Sequence, residues 1–268
     1  MRIGIMDTAL AATGPEQAFE LASRAGAEGV ELTYATNNEA RLLARKGHAA
    51  QLTALDKPGG PHLASICLGM LNSRASLIGT DEQIAESKKT VESAISVAAE
   101  IGVSVLLVPF FGKNVIEVEK ELQRAADSLL DLSEPAENAG VVLGVESTLN
   151  FDQQEFLLNH VGQTESVKMY VDTGNALARK VDFATGVRDL GPAGVAQVHL
   201  KDVKLTEGEP PNYDVQLGEG DVDFQAAVRA LQAIGYDGWV ILETPPGDDP
   251  ITLAKRNLAF ATELFETK

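Results

Sequence analysis

Apolar and β-branched residues fall into short runs along the chain at a steady interval, and each run is followed by a stretch of helical character. The runs are "RIGIMD" (2–7), "GVELTY" (29–34), "LASICLG" (63–69), "SVLLVPF" (104–110), "VVLGVES" (141–147), "VKMYVDT" (167–173), "VAQVHLK" (195–201) and "GWVILE" (238–243). Most are continuously apolar rather than alternating, which predicts strands covered on both faces, as in a parallel sheet.

Helix punctuation fills the intervals. "TDEQ" sets Thr80 and Gln83 at capping-box spacing, and "NVIE" does the same with Asn114 and Glu117. "DDP" offers Asp249 as an N-cap ahead of Pro250. Helices are predicted over 15–26, 38–56, 81–101, 114–139, 153–163, 180–190, 223–235 and 249–266. Eight strands alternating with eight helices predict an α/β fold, a (β/α)8 TIM barrel. The competing open, doubly wound sheet carries a glycine-rich turn after its first strand, and "MDTALAATGP" has none. No linker or low-complexity tract interrupts the pattern, so residues 1–268 read as a single domain.

The barrel makes the strand ends the place to look for chemistry. Four consecutive strands finish on polar side chains: Glu146, Asp172, His199 (with Lys201 two residues on) and Glu243. Two Glu, one Asp and one His form an oxygen-rich set suited to Mn²⁺, Mg²⁺ or Co²⁺, with Zn²⁺ left open. Lys201 shares the face of His199 and sits one pleat nearer the substrate side. Inside "GVELTY", Glu31 either orients one of these groups or pairs with a buried cation.

Charge narrows the partners. The formal net charge is −17, from 22 basic and 39 acidic residues, without a compensating basic cluster; nucleic acid and anionic membrane are disfavoured. No apolar run reaches the roughly 20 residues that span a bilayer. Cys67 is the only cysteine, so no intramolecular disulfide forms, and the opening residues lack a secretory pattern. A cytoplasmic location is the expectation.

The ordered pieces "GVEL" (29–32), "VES" (145–147), "VDTGN" (171–175), "VHLKD" (198–202), "GEGDVDF" (218–224) and "ILE" (241–243) resemble the xylose isomerase-like barrel superfamily, in its sugar phosphate isomerase/epimerase branch. The resemblance implies one divalent metal, Mn²⁺ first, on Glu146, Asp172, His199 and Glu243. It also implies that Glu146 and Glu243 act as a catalytic acid/base pair on a small carbohydrate substrate. The reaction so implied removes a proton α to a carbonyl and passes through a metal-stabilised enediolate, giving an epimerase or an aldose–ketose isomerase. Enzymes of this family often pair, which leaves a homo-oligomer open. A dehydratase acting on inososes is the alternative on the same residues, and a non-catalytic sugar-binding barrel is the third reading.

The chain departs from the family pattern at Asn175, where His is usual; Asn cannot titrate there. Asn175, Lys201 and Arg74, the last in "LNSRAS", are the expected substrate contacts. The superfamily's DNA-repair branch needs several zinc-binding histidines, but His48, His62 and His160 read as surface residues. "LGEGDVDF" could cradle a phosphate on the backbone of Gly218 and Gly220, although a tight turn capped by Asp221 or Asp223 explains it more simply. Phe110 and Phe111 read either as a pocket wall or as core.

Overall fold

A computed structural model describes residues 1–72 and 76–266. Among them, strands β1 (Arg2–Met6), β2 (Gly29–Thr33), β3 (His62–Cys67), β4 (Val105–Phe110), β5 (Val142–Ser147), β6 (Val167–Asp172), β7 (Val195–Leu200) and β8 (Trp239–Leu242) follow one another around a closed barrel. β1 pairs in parallel with both β2 and β8, the latter with Arg2 opposite Trp239 and Ile5 opposite Leu242. By contact density the chain divides into two units, 1–32 with 55–64 and 171–268, and 33–54 with 65–170. The dividing lines run inside β2, β3 and β6.

The continuously apolar runs become strands buried throughout. Every residue of β4 is buried, and Phe110 is fully covered, which makes it core rather than pocket wall. At the opposite end from the strand-end chemistry, Trp239 lies beneath the Arg2 guanidinium, 4.2 Å from its ring. A Cβ on Gly29 would come within 2.6 Å of the Trp239 indole, so the glycine of "GVEL" is required by packing.

The helices are α1 (Pro15–Ala25), α2 (Asn37–Leu43), α3 (His48–Thr53), α4 (Asp81–Ile101), α5 (Glu119–Ala139), α6 (Phe151–His160), α7 (Thr173–Ala178), α8 (Phe183–Gly194), α9 (Phe224–Ala233) and α10 (Pro250–Glu266). The expected helix over 38–56 is broken in two, because Gly47 adopts φ 85° and starts α3 afresh. The Thr80–Gln83 capping box forms as expected. The Asn114–Glu117 box does not. The Asn114 side chain is instead fully buried, accepting from the Leu77 N–H and donating to the Pro109 carbonyl. α5 starts later, with Glu121 reaching back to the Val118 N–H. α7 was not expected, and it starts directly at the end of β6. No helix among the described residues is long and apolar enough to cross a membrane.

Candidate metal centre

In "VHLKD", Val198 and Leu200 are fully buried in the strand packing while His199 turns the other way, at 1% exposure. Its two ring nitrogens both meet carboxylates. Nε2 lies 3.0 Å from Oε1 of Glu31, itself completely buried on β2. Nδ1 lies 3.0 Å from Glu243 Oε2 and 3.9 Å from Asp172 Oδ2. When Nε2–H is donated to Glu31, the Nδ1 lone pair faces Glu243 and Asp172, the arrangement that fixes a metal-binding histidine in one tautomer. Of the two readings of Glu31, the orienting one matches this geometry.

Glu146, Asp172, His199 and Glu243 each offer one donor atom, and these atoms all lie within 4.8 Å of one another. Donors on one divalent ion at ~2.0–2.2 Å are at most about 4.4 Å apart, so shifts of a few tenths of an ångström complete the set. The residues fit a divalent cation. Glu243 Oε2 supports this, because it is sealed from solvent beside His199 Nδ1, which carries no proton to give it when Nε2–H is donated to Glu31. A buried carboxylate oxygen in that state is costly without a cation to face.

The turn "DTGN" builds one side of the site. Asp172 caps α7, its Oδ1 accepting the Asn175 N–H at 2.5 Å. Thr173 Oγ1 donates to the Lys201 carbonyl at 2.7 Å and accepts the Lys201 N–H at 3.0 Å. A Cβ on Gly174 would lie 3.1 Å from the Lys201 Cγ, so the glycine lets the lysine stem pass close. Asn175 thus serves Asp172 through its backbone.

Lys201 Nζ reaches Glu243 Oε1 at 2.6 Å and lies 5.1 Å from the centre of the Tyr213 ring. Burial by itself pushes the Glu243 carboxyl up. The Lys201 ammonium and, after it, His199 outweigh that and hold it well below the usual carboxylate range. Glu243 is therefore ionised at neutral pH.

The glycine turn after β7 is not an open phosphate cradle. Asp202, buried at 2% exposure, takes the amides of Gly218 and Gly220 on Oδ2 and those of Val203 and Val222 on Oδ1. The N–H groups expected to hold an anion already hold the chain's own carboxylate. Asp221 binds Lys204 Nζ and the Leu205 N–H rather than capping a helix, while Asp223 does cap α9.

The remaining residues fall elsewhere. Arg74 lies outside the described residues. His62 and His160 pair with Asp56 and Asp127, each at 2.9 Å. His48 is buried rather than on the surface, with its Nε2 2.7 Å from the Tyr34 hydroxyl. Its i,i+4 apolar neighbours were the only sequence sign of burial. Tyr213 carried no sign at all, because it sits in a polar, proline-containing segment, "EPPNYD".

A closed parallel barrel with a carboxylate–histidine cluster at its strand ends defines a class of barrel enzymes. Within that class the chain belongs to the xylose isomerase-like TIM barrel family, which it matches over residues 19–264. It is 29% identical over 231 residues to a 2-epi-5-epi-valiolone 7-phosphate 2-epimerase of Actinoplanes sp. (strain ATCC 31044 / CBS 674.73 / SE50/110), covering 86% of this chain and 82% of that one. It is 28% identical over 265 residues to a putative L-ribulose-5-phosphate 3-epimerase, SgbU, of Escherichia coli (strain K12), covering 93% and 91%. Among solved structures, the IolI protein with a bound zinc atom superposes over 100% of both chains with a TM-score of 0.75 at 17% identity. That likeness is one of fold.

Proposed function

We propose that this protein is a metal-dependent epimerase of a ketose or ketose phosphate, with Glu146 and Glu243 as its acid/base pair. The carrying observation is the convergence of donor atoms from Glu146, Asp172, His199 and Glu243. Both named relatives are epimerases of phosphorylated compounds. We assign Mn²⁺ as the ion, on the oxygen-rich set. Bound there, the ion supplies a Lewis acid beside the reacting carbon.

The chain's own side chains do the rest. Glu243, kept ionised by Lys201, is ready to accept a proton from the carbon next to the carbonyl. Glu146, on a different strand, delivers a proton taken up from solvent to the other side, the centre inverts, and Glu243 releases the proton it took back to solvent. Lys201 stays on Glu243 Oε1 and leaves Oε2 to face the donor cluster. Asn175 and Lys201 line the substrate side.

The test is a panel of L-ribulose 5-phosphate, L-ribulose and D-allulose in deuterated water with Mn²⁺-loaded protein. Solvent deuterium is expected at one carbon without change of formula, and Glu146→Gln and Glu243→Gln each lower exchange by at least ~10²-fold when Mn²⁺ is supplied in enough excess to fill the weakened site. Elimination of water instead would replace the epimerase with a dehydratase. Unchanged exchange in both variants overturns the acid/base assignment.

A further inference from the structure

The segment between β7 and α9 is tied down at several points along its path. Lys204 and Asn212 exchange two backbone hydrogen bonds, of 2.8 and 3.0 Å, folding residues 204–212 into an antiparallel excursion. Asp221 ties the base of that excursion through Lys204 Nζ and the Leu205 N–H. Asp202, with four amides on its carboxylate, fixes the return. These devices hold one aromatic side chain, Tyr213, in place. Its ring lies over the Lys201 ammonium, the same ammonium that grips Glu243, and still keeps 36% of its surface exposed.

A rigid, half-exposed aromatic ring beside a buried polar centre has an apolar face to offer. Sugars present C–H faces as well as hydroxyls, and an aromatic ring matches the former at little conformational cost. The hydroxyl feels the same surroundings: burial pushes it up, and the charges of Lys201, Asp172, Arg179 and Glu243 all act on it.

We propose that Tyr213 is a substrate-positioning residue, a wall on which the carbon skeleton of the sugar rests beside Lys201 and the metal donors. This rests on the epimerase reading for the kind of ligand, and on the fixed geometry of Tyr213 for its place. The ring, rather than the hydroxyl, makes the contact. Tyr213 therefore sets affinity and choice among sugars, while Glu146 and Glu243 set the rate.

The experiment is binding calorimetry of L-ribulose, L-ribulose 5-phosphate and D-allulose to the Mn²⁺-loaded protein, which needs no turnover. Tyr213→Ala is expected to weaken the best-bound sugar about tenfold, and Tyr213→Phe to leave it within about twofold. Metal affinity and thermal midpoint stay unchanged in both variants. Where a sugar turns over, the loss appears in KM and not in kcat. Equal affinity of wild type and Tyr213→Ala overturns the proposal. So does a fall in kcat at constant KM, which would leave the ring only the task of holding Lys201. Wild-type protein that binds a sugar without exchanging its proton overturns the epimerase reading alone. Wild-type protein that binds none of the three overturns both.

Discussion

Two aspartates stand at the ends of strands that neighbour one another in chain order, and both are buried: Asp172 as the last residue of β6 at 6% exposure, Asp202 just past β7 at 2%. Each precedes a glycine-bearing turn. Asp172 gives one oxygen to a backbone amide, that of Asn175, and turns the other toward His199. Asp202 commits both oxygens to four amides of its own loop. The same residue type in the same kind of position leaves an oxygen facing the donor cluster in one case and builds a loop anchor in the other. The difference lies in how many N–H groups the following turn aims at the carboxylate. A turn that satisfies one oxygen leaves a site; a turn that satisfies both closes it.

Substitution separates the two roles most sharply at Asp202. Replacing it with Ala strips four amides of a buried acceptor, and stability is expected to fall by about 4 kcal/mol, seen as a lower midpoint in denaturant. Mn²⁺ affinity of the folded fraction stays as in wild type, since no ligand is touched. A variant as stable as wild type would show that water replaces the carboxylate and that the loop has no need of it.

Asp172→Asn should behave the other way. The amide oxygen can still accept the Asn175 N–H, so α7 keeps its cap, but one anionic donor is gone. Mn²⁺ affinity is expected to drop about 100-fold by calorimetry, equivalent to ~2.7 kcal/mol. The metal-free protein melts no lower than wild type, because three carboxylates no longer crowd one point. Loss of stability with metal affinity intact would reverse the comparison.

The contrast marks what the sequence could disclose. The barrel was legible because β-branched, doubly buried runs such as "SVLLVPF" leave no other regular structure open to them. The convergence of Glu146, Asp172, His199 and Glu243 was legible because the strand period places a terminal side chain without knowledge of the loops. Asp202 was not, since three of its four partners are amides 16 to 20 residues downstream and are set by the loop's path. The same holds for Tyr213 and Lys201, which a two-bond bridge brings together. Asn114 misled for a related reason: its capping spacing was real, but a tertiary partner at Leu77 outcompeted the local one.

The smallest effect probes how the Asp172 turn acts at a distance, through the lysine it seats. Lys201 holds Glu243 well below the usual carboxylate range against the upward push of burial. In Lys201→Met the stem still passes Gly174, but burial meets less opposition, so the Glu243 carboxyl rises. A metal ligand must be deprotonated to bind, so Mn²⁺ binding in this variant is expected to fail at a higher pH than in wild type as the solution is acidified. The sign follows from linkage. A depressed folded-state pKa contributes stability that is present above the unfolded value and lost as pH falls through the folded one, and removing the lysine moves that loss upward. Near pH 8 the order reverses, because taking a positive charge away from a cation site favours the cation. Calorimetric affinity curves for the two proteins should therefore cross. Parallel curves would mean that Lys201 does not control the protonation of Glu243, and that the turn seats it for another purpose.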